Sequence, residues 1–151
     1  MNNRLHNEKR IWDILLLLIR IWLGYRMFTA SYSSVVDIIF HPDERPFFEN
    51  WFGKELHFPF PVAMAFLAKG TELSGGLLVF GGLFTRIGTS LIAFTMLVAT
   101  LVANLGENFN IDGGFTISYF LFAVILFVAG AGKYSLDNLL LKKRGNILIS
   151  G

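Results

Sequence analysis

Four apolar runs, at about 11–30, 61–84, 87–105 and 114–131, dominate this chain. Each is close to the ~20 residues that a helix needs to cross ~30 Å of hydrocarbon. In lipid every backbone N–H and C=O must be satisfied within the segment, so helices are what such runs form. The stretch 87–100 is apolar on all sides, as a bilayer-crossing helix is and a one-sided surface helix is not. A water-soluble fold would need polar residues to cover these runs. Only 16% of the 151 residues are charged, against 54% hydrophobic, whereas soluble domains average about 25% charged. The expectation is an all-α integral membrane protein, a bundle of four transmembrane helices forming one domain over 1–151.

Placement of Lys and Arg orients such a bundle. Arg4, Lys9, Arg10, Arg86, Lys133, Lys142, Lys143 and Arg144 fall on one side; only Arg45 and Lys54 fall on the other. Both termini are therefore expected in the cytoplasm, in the cell (inner) membrane, with an outer loop at 31–60 and a cytoplasmic tail at 132–151. The basic residues before the first run resemble the start of a signal peptide. Arg20 interrupts the apolar stretch, however, and points to an uncleaved first helix. The net charge of +2 comes from basic ends, which suits a lipid bilayer partner and not nucleic acid. There is no cysteine, and His6, His41 and His57 all lie outside the spans. No metal or haem ligation is expected at membrane depth.

Charges inside the runs are the functional signal. A charged side chain at a bilayer centre costs roughly 2.5–3.5 kcal/mol on insertion scales, so it is commonly paired. Arg20 lies about 13 Å, and Glu72 about 18 Å, from the cytoplasmic ends of their runs at 1.5 Å per residue. One helical turn separates these depths, and an Arg20–Glu72 ion pair is expected. Lys69 stands at i,i+3 from Glu72, and Arg26 lies higher on the first run. Three bases against one acid suggest a ligand that is anionic or carries a carbonyl, or else water access from outside. Arg20, Tyr25, Lys69 and Glu72 are the candidate ligand-binding residues, in a pocket between the first two spans that opens to the outer leaflet. No residue is singled out as catalytic.

The outer loop holds Phe47, Phe48, Trp51, Phe52, Phe58 and Phe60 among several prolines. Such a stretch forms either a short interfacial helix with its rings in the lipid or a cover over a cavity. Small residues collect on the second run at Gly70, Ser74, Gly75, Gly76, Gly81 and Gly82, with Gly24 on the first. In lipid such residues let helix backbones approach closely.

The motif from Glu72 through Ser74-Gly75-Gly76 and Gly81-Gly82 to Arg86 resembles the signature of the DoxX family of small four-helix membrane proteins. So do Gly130-Ala131-Gly132-Lys133-Tyr134-Ser135-Leu136-Asp137 and the Arg20-x-x-x-Gly24 opening of the first helix. Where the family often carries a second Gly and then a Lys, this sequence has Ser31 and Ser34. The family includes the small subunit of a thiosulfate:quinone oxidoreductase. The resemblance thus implies a quinone ligand and an oxidoreductase partner subunit that supplies electrons. The alternative is a non-catalytic assembly factor or small-molecule permease.

Overall fold

The computed structural model describes residues 2–103, 111–140 and 142, and the described residues are helical, without strands. Helix α1 spans Asn2–Phe40. It runs on past the apolar stretch, because residues 31–40 contain neither Gly nor Pro to stop it. At 1.5 Å per residue its 39 residues reach about 58 Å. It ends at His41, whose φ of −117° and ψ of 84° are non-helical. Pro42 follows, and proline disfavours the helical conformation in the residue before it. The first third of the expected outer loop is therefore helix.

A single 3₁₀ turn, Pro42–Glu44, leads into the short helix α2, Arg45–Phe48, and then a π-helical turn, Glu49–Glu55. Helices α3 (Pro61–Gly81), α4 (Thr85–Ala103) and α5 (Ile111–Ala129) complete the order. Pro61 opens α3 at a position where the missing N–H costs nothing. Gly82 closes that helix in the left-handed region, at φ 65°. Its N–H donates to the Val79 carbonyl, and the N–H of Leu83 reaches back to Leu78 at 3.0 Å. Residues 104–110, which include Asn104 and much of the third connection, lie outside the described residues, as does most of the basic tail after 140.

Helix α1 packs on α3, α3 on α4, α4 on α5, and α5 back on α1. Glycines decide how near the first pairs come. A Cβ on Gly24 would stand 2.6 Å from the Phe80 backbone nitrogen and 2.8 Å from the Gly76 carbonyl oxygen. Gly75 and Gly88 bring α3 and α4 together in the same way, each facing the other's carbonyl at 3.0 Å. The core between the helices comprises Leu23, Met27, Val79, Ile92, Met96, Tyr119, Ala123 and Leu126. A second cluster joins Ile38, Phe48, Phe52 and Ala65. Phe48 and Phe52 are buried, whereas Phe47 faces outward. The aromatic segment thus turns rings onto α1 and α3, instead of presenting all of them to lipid.

The outer faces stay apolar: Trp12, Leu18, Phe94 and Val128 are all more than half exposed. Apolar surface spread this widely is unusual in a monomer bathed in water. Two helical stretches, Asn7–Phe40 and Pro61–Gly81, are long and apolar enough to cross a membrane; Thr85–Leu101 and Phe115–Ala129 are shorter apolar helices.

Candidate functional site

The charges inside the apolar runs separate into two places. At one end of the bundle, Arg20 is buried, and its partners are backbone carbonyls. Nη1 donates to Ala131 at 2.8 Å and Nη2 to Tyr134 at 2.6 Å. The expected Arg20–Glu72 pair does not form. The reason is the return of the chain after α5, which brings carbonyls with no helical partner to the guanidinium. A planar fork of N–H donors suits such a set.

The rest of this end is locked around that contact. Gly82 leaves room for the guanidinium, since a Cβ there would stand 2.5 Å from Nη1. Asp137 accepts from the N–H groups of Phe84 and Thr85 at 2.7 and 3.0 Å, satisfying donors left open at the start of α4. Its own N–H donates to the Gly82 carbonyl at 2.9 Å. Asp13 accepts from the Lys133 N–H at 3.3 Å. The two glycine-rich motifs and Arg20 thus form one clasp.

Glu72 lies in the other place. It is buried on α3, and its Oε2 accepts from the Ser31 hydroxyl of α1 at 2.6 Å and from Lys69 at 3.0 Å. Ser31, fully buried, was legible only as a departure from the family pattern. Its hydroxyl replaces the role expected of Arg20. Below this bridge the Gly24–Gly76 approach leaves no space between α1 and α3. Among the described residues, that contact closes the α1–α3 side at this level, where the pocket was expected.

Space opens on the opposite side of Glu72. A cavity of about 460 Å³ lies between α3 and α4, covered by the aromatic segment. That volume is within the range of small-molecule sites. Trp51, Phe52, Leu56 and Phe58 line it from the cover, and Met64 and Leu67 from α3; Met96 and Val98 are among the residues of α4. Lys69 and Glu72 are at its wall, while Arg20 and Tyr25 are not among its lining residues. The Tyr25 side chain is more than half exposed. Arg26 is also engaged elsewhere, its Nε donating to the Tyr119 hydroxyl at 3.4 Å. The expected excess of cations around Glu72 is thus reduced to Lys69 alone. Aromatic residues of the cover, read from the sequence as either anchor or lid, belong to the cavity wall.

The described residues are helical, with apolar outer faces, close glycine contacts and a cavity beside an ion pair, the make-up of a small membrane protein. The sequence profile of the family described as DoxX matches residues 15–105, and the chain belongs to that family. It is 35% identical over 89 residues to a Bacillus subtilis protein named "Putative oxidoreductase CatD". That match covers 58% of this chain and 66% of the relative, just under two thirds of its length. A Haemophilus influenzae protein named "Uncharacterized protein" is 31% identical over 104 residues, covering 62% of this chain and 69% of the relative. No solved structure matches the chain.

Proposed function

We propose that this protein is a four-span subunit of the cell (inner) membrane, with both termini cytoplasmic, that binds a quinone-class ligand beneath its aromatic cover. The observation that carries the reading is the cavity: almost wholly apolar, with Lys69 and Glu72 as its charged pair. A quinone matches that division, with an apolar body and a polar head that needs a hydrogen-bond donor. The relative named an oxidoreductase is consistent with it. Electrons come from a partner oxidoreductase subunit, because the chain has no cysteine and no histidine in its apolar runs. On the proposed topology the cavity belongs to the outer half of the membrane, next to the loop that covers it.

The test is binding of a short-chain quinone to the purified protein, followed by quenching of Trp51 fluorescence in a Trp12→Phe, Trp22→Phe background. Ala68→Phe, which adds no tryptophan, should fill part of the cavity and weaken binding at least about tenfold, the loss of one good contact set. Unchanged binding in that variant, or no binding in the parent, would leave the assembly-factor or permease role as the better reading. Topology is checked separately. In intact cells an impermeant thiol reagent should label Asn50→Cys and spare Asn3→Cys.

A further inference from the structure

We infer that the cavity selects a neutral ligand bearing a hydroxyl group, such as a phenol or the reduced form of a quinone, over carbonyl-only and anionic ligands. This rests on the ligand-binding reading above and names the head group that it takes. The argument is an inventory of donors and acceptors. Six residues of the cavity wall carry polar side chains: Trp51, whose indole N–H can only donate, Lys69, Thr71, Glu72, Thr95 and Thr116. The hydroxyl of Thr71 donates to Leu67 of its own helix at 2.6 Å, and that of Thr95 to Leu91 at 3.1 Å. Thr116 is engaged with Thr100 at 3.1 Å. The threonine hydroxyls keep only neutral acceptor lone pairs and Trp51 adds one neutral donor, so the charged groups of the wall are the ion pair. Lys69 has three N–H donors and uses one, on Glu72 Oε2. Glu72 receives both of its hydrogen bonds on Oε2, and none reaches Oε1 among the described residues.

The site therefore offers spare donors and a spare acceptor within one residue pair. A hydroxyl answers both, accepting from Lys69 and donating to Glu72. A carbonyl answers only the first. Charge gives the second criterion. Lys69 and Glu72 together are neutral wherever the proton between them resides, so an anion entering the apolar cavity brings an uncompensated charge. Sequence alone suggested a ligand that is anionic or carries a carbonyl because Arg20 and Arg26 were counted with Lys69; both are held elsewhere.

Three probes with one apolar body separate these cases: para-heptylphenol, its methyl ether and para-heptylbenzoate. Binding is read from Trp51 quenching in the same two-substitution background, with concentrations corrected for measured micelle partition. The phenol should bind about tenfold or more tightly than the ether, the worth of a hydrogen bond to a charged acceptor, and more tightly than the benzoate. Glu72→Gln, which keeps a hydrogen-bonding group in place, should shrink the preference for phenol over ether severalfold. Equal binding of phenol and ether would overturn the head-group assignment while leaving an apolar-ligand site standing. Tighter binding of benzoate would overturn the neutrality argument. Failure of all three probes and of the short-chain quinone would overturn the site itself. A preference unchanged in Glu72→Gln would remove Glu72 from the assignment.

Discussion

Arg20 and Glu72 are alike in sequence, each a charge within a long apolar run, and opposite in structure. Arg20 sits in a closed clasp where a chain turn supplies two carbonyls and Gly82 supplies the space. Glu72 sits beside an open cavity, tied to Ser31 and Lys69 with one carboxylate oxygen unused. Depth and charge alone therefore do not distinguish a structural charge from a binding one. What distinguishes them is where the unused atom lies: the unpartnered Arg20 Nε is sealed inside the clasp, whereas Glu72 belongs to a cavity wall. The Arg20 guanidinium reaches from the middle of α1 to carbonyls of the chain turn beyond α5. Glu72, midway along α3, can only accept, and its donors are the side chains of Ser31 and Lys69.

The largest expected effect tests the closed end. Arg20→Met removes two charge-assisted hydrogen bonds and leaves the carbonyls of Ala131 and Tyr134 without a donor. A loss of roughly 3 kcal/mol or more should appear in detergent unfolding, with ligand affinity unchanged in whatever protein remains folded. Weakened ligand binding in folded Arg20→Met would break the division between the two regions.

Glu72→Ala should cost less, about 1–3 kcal/mol, because Lys69 keeps one-fifth of its side chain exposed and can turn to solvent or headgroups. Glu72→Gln should be milder still. A cost exceeding that of Arg20→Met would make the open pair, not the clasp, the main structural charge. Asp137→Ala should follow at about 1 kcal/mol, the usual worth of a side chain that caps a helix start. Thermal unfolding reads it, and hydrogen exchange should show the loss first at the amides of Phe84 and Thr85.

The smallest effect is the sharpest check. Arg20 and Glu72 share no hydrogen-bond partner, so the double variant Arg20→Met, Glu72→Ala should be additive within about 0.5 kcal/mol. A coupling beyond that would restore the direct ion pair suggested by depth alone.

Sequence periodicity and composition determined the helical class, the apolar runs and the glycines that let helices touch. These are local properties: helix length follows from 1.5 Å per residue, and a missing side chain is visible in one dimension. The motifs around Arg20, Gly82 and Asp137 also carried the family, because their residue types and spacing persist without the fold. The partners were decided only in three dimensions. Arg20 finds its carbonyls across more than a hundred residues of chain. Glu72 finds Ser31 across forty-one. Counting charges at a shared depth treats them as if every pair were equally near, whereas hydrogen bonds act only over about 3 Å. The cavity has the same origin. It exists because close glycine contacts shut the α1–α3 side of Glu72 while the α3–α4 side, beneath Trp51 and Phe52, stays open, a packing outcome that no single segment contains.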